Sequence, residues 1–200
     1  MHITITGKLG SGKSTVAKKL VEQYGFEIFS TGAILRAAAA ERGMDVLELN
    51  KELNAKLDSD RSMDDLIDST TVRVAAERKD DKLIFDSRMA WHFVPDSFKV
   101  FVTVQPCVAA ARVMKDPRPG EPCEDENALC AELVERSKVE QARFQALYGV
   151  DYYDYNNFNL VVDSSNRTPD EVVALVWEGF NESLRDPAGY GHKELLSSGI

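Results

Sequence analysis

Positive charge is outnumbered in this chain. Its 200 residues carry 24 Lys and Arg against 33 Asp and Glu, a formal net charge of −9, and a field of that sign argues against nucleic acid or an anionic membrane as partner. Cysteine is scarce: Cys107, Cys123 and Cys130 are odd in number and show no Cys-x-x-Cys or zinc spacing. That usage suits a reducing cytoplasm. No run of about 18 apolar residues is present, and the N-terminus leads into a strand without a basic-then-apolar leader. A cytoplasmic location away from membranes is therefore expected. There is no internal repeat, no low-complexity segment and no Ser/His/Asp arrangement. His92, between Trp91 and Phe93, reads as packed, while His2 and His192 are near the termini. What remains, with 44% hydrophobic residues, fits one α/β domain.

The informative stretch is Gly7-Lys8-Leu9-Gly10-Ser11-Gly12-Lys13-Ser14, which fits Gly-x-x-x-x-Gly-Lys-Ser/Thr at every fixed position. A β-branched run, Ile3-Thr4-Ile5-Thr6, precedes it. Apolar positions at Val16, Ala17, Leu20 and Val21 follow at helical spacing. Strand, glycine turn and helix in that order converge backbone N–H groups on one anion, and the helix N-terminus adds its partial positive charge. Lys13 is expected at the β- and γ-phosphates of ATP, Ser14 on Mg²⁺, and Thr15 at the helix start beside them. Lys8 also reads as a solvated loop lysine.

Further along, Phe26 to Phe29 reads as a strand and Thr31-Gly32 as the turn into a helix rich in alanine, with Arg36 one turn in. That arrangement is either a second anion site or a capped surface helix with a solvated arginine. Helices are expected over 46–57 and 63–78, both read as scaffold. Lys82 to Asp86 is an apolar strand ending in a carboxylate. Ligands gather at the carboxyl ends of such strands, so Asp86 would hold Mg²⁺ through water and Arg88 a phosphate, unless the two form a strand-end ion pair. Phe98 to Val104 is the clearest strand. Pro106 opens a helix carrying Arg112, and the Pro/Gly-rich stretch at 115–122 is either a stiff loop or a lid. From 124 to 148 one helical stripe runs Leu129, Leu133, Arg136, Glu140, Arg143, Leu147. Its charged centre is either an inward-facing site or a surface salt-bridge set. Asn159 to Asp163 is the last strand, and Thr168-Pro169 starts the last helix. Residues 186–200 read as a loosely held tail.

Several of these segments together resemble the nucleoside monophosphate kinases, most closely the cytidylate kinase-like group, from residue 1 to about 180. Thr31-Gly32-Ala33-Ile34-Leu35-Arg36 resembles the group's monophosphate-binding turn. Phe85-Asp86-Ser87-Arg88 with Phe93-Val94-Pro95-Asp96-Ser97 is similar to its Asp-Gly-Arg segment and the Phe-Pro-Asp-Ala stretch beyond it. Arg136, Glu140 and Arg143 match its Arg-x-x-x-Asp-x-x-Arg helix, and Leu160 to Ser164 its final strand. The resemblance implies a P-loop NTPase fold: a five-stranded parallel sheet flanked by helices, a helical monophosphate-binding region at about 30–80 and a short lid at about 115–124, within a single domain spanning 1–185. It implies ATP and Mg²⁺ as cofactors, small nucleotides as partners, CMP or dCMP as acceptor, and a monomer. By the same resemblance Thr31, Gly32, Arg36, Asp86 and Arg88 bind acceptor. Lys13, Arg112, Arg136 and Arg143 act on the phosphates in transfer, and Glu140 orients Arg136 and Arg143. The chain departs from the group's pattern at Leu35, Ser87, Met89 and Trp91, all on the acceptor side, and has no clear insert for cytosine. The alternatives are another small-metabolite acceptor, or an ATP-binding regulatory protein without turnover.

Overall fold

The computed structural model describes residues 1–44, 48–49, 61–116 and 125–196. Its centre is β1 (Ile3–Gly7), which pairs in parallel with β3 (Leu83–Asp86) on one side and β4 (Phe98–Thr103) on the other. β2 (Glu27–Ser30) lies outside β3, β5 (Leu160–Asp163) beyond β4, and β6 (Lys193–Leu195) beyond β5. All five pairings are parallel. β3 and β5 are short apolar runs ending in aspartate, while the fully buried β1 alternates isoleucine with threonine, as strands covered on both faces can. Consecutive residues alternate between faces, so Ile3 and Ile5 join one cluster while the Thr4 and Thr6 hydroxyls bond on the other side, to Ser97 and to the Arg88 carbonyl.

The sheet has six strands, one more than the five expected. The extra one comes from the tail, which is held rather than loose as far as Leu195. Lys193 pairs with Leu160, the His192 ring bonds the Phe158 carbonyl at 2.8 Å, and Arg167 donates to the Leu195 carbonyl at 3.1 Å.

The helices are α1 (Lys13–Tyr24), α2 (Thr31–Glu41), α3 (Ser62–Glu77), α4 (Ala90–Phe93), α5 (Pro106–Lys115), α6 (Glu126–Tyr148) and α7 (Pro169–Arg185). Val16, Ala17 and Leu20 of α1 and Val172, Val173, Val176 and Phe180 of α7 pack on one sheet face against Ile5, Val100 and Val162. α7 begins with a capping box in which Thr168 and Glu171 satisfy each other's backbone N–H groups, a device worth about 1 kcal/mol. On the opposite face Phe101, Phe144, Tyr152, Phe158 and Trp91 form an aromatic cluster, while Leu9, Ala109, Ala110, Leu129 and Leu133 join α5 and α6 beside the glycine turn. Of the helix expected over 46–57 only Glu48 and Leu49 are described, and Leu49 is fully buried. The 117–124 part of the expected lid lies outside the described residues. No described helix is long and apolar enough to cross a membrane.

Candidate active site

The glycine turn sits at the carboxyl end of the central strand. Its close approach to the neighbouring strand explains Gly7: with φ of +143°, a Cβ there would lie 2.0 Å from the Val102 carbonyl oxygen. Gly10 likewise meets α5, where a Cβ would come within 2.7 Å of Ala109 Cβ. Gly12, in the left-handed region, precedes the first turn of α1. The N-terminus of α1 therefore opens on the turn, which is the anion-binding arrangement. Lys13 arches back over it, donating from Nζ to the carbonyls of Gly7 and Lys8, each at 2.9 Å. Lys8 itself points elsewhere, its ammonium 6.0 Å from the Tyr153 ring centre. Leu9 is buried against α5 and α6, Ser11 is buried, and Thr15 is exposed at the helix start.

Ser14 Oγ donates to Asp86 Oδ2 at 2.9 Å, joining residues 72 positions apart because β3 pairs directly with β1. These are hard oxygens of the kind Mg²⁺ prefers, and a site of this type takes few protein ligands because phosphate and water supply the rest. Residues Ser14 and Asp86 thus fit the ion. No group of three or more His, Cys, Asp or Glu side chains converges on a metal position among the described residues.

Immediately after Asp86 the chain enters the wall of a cavity of about 370 Å³. Ser87, Arg88 and Met89 line it from the end of β3, Thr31 and Leu35 from α2, Asp64, Ile67 and Asp68 from α3, and Arg136, Glu140, Arg143, Phe144 and Tyr148 from α6. Arg88 is paired with Glu140 at 2.7 Å. Arg143 places one Nη 2.7 Å from both carboxylate oxygens of Asp64, a pair in which neither side chain exceeds 14% exposure. Arg136 lies 3.9 Å from Glu132 on its own helix. The charged centre of the α6 stripe therefore faces a hollow. Arg36 is exposed and folds back along α2, with its Nη1 beside Gly32.

Arg112, expected to contact phosphates, lies beside the cradle rather than in the cavity wall. It is docked on the loop after β5, donating to Ser164 Oγ at 3.0 Å and to the Ser164 carbonyl at 2.6 Å. Ser164 in turn donates to the Ser11 carbonyl at 3.0 Å, so Arg112 braces the cradle through Ser164. His92, expected to be packed, is exposed, with the Phe93 ring 5.0 Å away.

Residues on α3, expected to be scaffold only, belong to the cavity. Asp64 holds Arg143, and Asp68 accepts from the Tyr148 hydroxyl at 2.8 Å. In the sequence these acids look like the solvated face of an amphipathic helix, and only the i, i+4 spacing of two aspartates gave any signal. Tyr152 is a second omission: fully buried, it donates to the Gly7 carbonyl at 3.0 Å and fixes the start of the turn. Where Leu35 stands in place of the tyrosine of the resembled family, Phe144 and Tyr148 line the cavity from α6 instead.

Burial is the main reason the Asp68 carboxyl is pushed up to about 6; the Tyr148 hydrogen bond opposes it, and the neighbouring Asp64 and Asp65 charges add to it. A raised carboxyl favours the folded state below the unfolded value of 3.8, and that advantage is lost as pH rises through about 6. Asp68→Asn keeps an acceptor for Tyr148 and removes the ionisation. Its melting temperature should exceed that of the native protein above pH about 6, with the gap closing below pH about 4. Thermal melts across that range check this, and a gap that is independent of pH would contradict it.

Residues 2–166 match the cytidylate kinase-like family. A cytidylate kinase of Natronomonas pharaonis is 34% identical over 190 residues, covering 93% of this chain and 92% of the relative. A relative from Lacinutrix mariniflava named S-adenosylmethionine-dependent nucleotide dehydratase is 31% identical over 182 residues; the match takes in 90% of this chain but only 36% of that protein. Among solved structures, a shikimate kinase from Bacteroides thetaiotaomicron superposes with a TM-score of 0.57 at 17% identity, covering 92% of this chain and 98% of the other. That likeness concerns the fold, a parallel sheet with flanking helices as in P-loop kinases.

Proposed function

We propose the reaction from one premise: the chain belongs to the cytidylate kinase-like family. Within it, the protein moves the γ-phosphoryl group of ATP to a monophosphate acceptor, CMP or dCMP, with Mg²⁺. The observation that carries this reading is Asp86, whose carboxylate touches Ser14 of the cradle while the next residues, Ser87 and Arg88, line the cavity. Donor and acceptor sites thus adjoin at the end of one strand, as in-line transfer requires.

In this scheme the cradle N–H groups hold the donor phosphates. Lys13 exchanges its two carbonyl partners for phosphate oxygens. Arg88 leaves or shares Glu140 to hold the acceptor phosphate, and Arg136 neutralises charge on the moving group. Ser14 and Asp86 would hold Mg²⁺, which supplies neutralisation of the phosphate charge when bound. Cytosine differs from uracil in carrying an amino donor, for which a carboxylate is the natural acceptor. Asp68, ionised above pH about 6, and Asp64 supply carboxylates inside the cavity, and Phe144 and Tyr148 supply aromatic surface.

Incubating the protein with Mg·ATP and CMP, dCMP, UMP, AMP or shikimate, and measuring ADP, tests the proposal. CMP and dCMP should give the fastest release. Tight Mg·ATP binding with no ADP above the acceptor-free blank would overturn it in favour of a regulatory ATP-binding protein, and release with shikimate alone would move the acceptor to another class. Arg88→Gln should raise KM for CMP by about 10- to 100-fold, the loss expected for a hydrogen bond to a charged group, while KM for ATP stays within a few-fold.

A further inference from the structure

Two of the three cysteines, far apart in the chain, meet at the seam between α5 and α6. Cys107 is exposed in the first turn of α5 and Cys130 half-buried in the second turn of α6, with their sulfur atoms 2.6 Å apart. Neither is bonded, and neither takes part in the cradle or the acceptor cavity. We infer that Cys107 and Cys130 are a thiol pair that closes to a disulfide under a low-molecular-weight disulfide oxidant and, once closed, slows the protein's turnover.

The chemistry balances as two exchanges. The Cys107 thiolate, the accessible one, attacks a sulfur of the oxidant, forming a mixed disulfide and expelling one thiolate. Cys130 then loses its proton and attacks the Cys107 sulfur, forming the internal bond and expelling the second. The protein loses two hydrogens and two electrons, and the oxidant becomes two thiols. Cys130 holds its proton more tightly than an ordinary thiol, first because of its hydrogen bond with Cys107 and then because of burial, which assigns the first attack to Cys107.

The position of the bond gives it a consequence. α5 rests on the glycine turn, Ala109 lying against Gly10, while α6 carries Arg136, Glu140 and Arg143 in the cavity wall. The two helices flank residues 116–125 of the chain. A bond at their N-terminal ends fixes the spacing between the donor cradle and the wall of the acceptor cavity. Admission and release of a nucleotide require that wall to move. This consequence rests on the phosphotransfer reading, whereas formation of the bond does not.

The test treats the full-length protein with oxidised glutathione, then follows intact mass, thiol-blocked peptide mapping, melting temperature and ADP formation, with and without dithiothreitol. Expected are a Cys107–Cys130 peptide, a melting temperature higher by roughly 5–10 °C, and turnover lower by at least about fivefold and restored by dithiothreitol. Cys107→Ser and Cys130→Ser should each keep the untreated turnover and ignore the oxidant. A stable glutathione adduct on Cys107, or a bond from either residue to Cys123, would overturn the pairing. A Cys107–Cys130 bond with unchanged turnover would overturn its regulatory role. Absence of ADP from the reduced protein would instead count against the phosphotransfer reading, with mass and peptide mapping still reporting on the bond.

Discussion

Lys13→Ala is expected to lower turnover with Mg·ATP and CMP by about 10³-fold while leaving the melting temperature within a few degrees of the native value. Its ammonium is seated on the glycine turn itself, 2.9 Å from the carbonyls of Gly7 and Lys8. In the proposed reaction it is one of the donors aimed where charge builds on the transferred phosphoryl group, and removing one such donor from a preorganised site costs about 10²- to 10³-fold. Lys8 and Arg112 do not replace it, because Lys8 is turned toward Tyr153 and Arg112 is docked on Ser164. Initial-rate measurement of ADP formation, beside a thermal melt, checks this. A loss below tenfold in a folded variant would contradict the role given to Lys13.

The largest effect on stability is expected at Gly7. An alanine Cβ there would sit 2.0 Å from the Val102 oxygen and 2.7 Å from its carbonyl carbon, backbone atoms of β4 that cannot give way without breaking a buried strand pairing. The backbone conformation, φ +143°, adds strain of its own for any residue with a Cβ. Gly7→Ala should cost more than about 4 kcal/mol, lowering the melting temperature by roughly 10 °C or preventing recovery of folded protein. Gly12→Ala is the control. Its φ is +84° but a Cβ would meet nothing within 4 Å, so the cost should be roughly 1–2 kcal/mol, that of the left-handed conformation alone. Denaturant melts of the two variants should therefore differ clearly. Equal destabilisation would show that steric contact with Val102 is not what demands glycine.

The cradle was legible in the sequence because its chemistry needs fixed residue types at fixed spacing, and the flanking strand and helix announce themselves by composition. The meeting of Ser14 with Asp86 followed from a general property of parallel sheets, since Asp86 ends β3 and Ser14 opens the helix that follows the neighbouring β1. The α6 stripe was legible because leucines at Leu129 and Leu133 showed which way Arg136 and Arg143 point. The acids on α3 were not legible: Asp64 and Asp68 lie on a helix whose exposed positions are also polar, and only the packing of α3 against α6 distinguishes a cavity wall from a solvated face. β6 escaped for another reason. Three residues at a sheet edge, two of them charged, have neither the length nor the alternation that marks a strand, and the pairing is made largely by backbone groups that any sequence possesses. Tyr152 and Ser164 support the turn through backbone carbonyls, and such bonds leave no spacing rule to read. The two cysteines that meet were legible only as an odd count.

The most direct test tracks the phosphoryl group itself. The protein is incubated with ATP labelled in the γ-phosphate, Mg²⁺ and CMP, and the label is traced by chromatography over the course of a few turnovers. Direct transfer from the cradle to the Arg88 cavity predicts label in CDP, at a rate that falls with Arg88→Gln and is recovered by raising CMP. Label released only as inorganic phosphate, or label in CDP at a rate indifferent to Arg88, would contradict it.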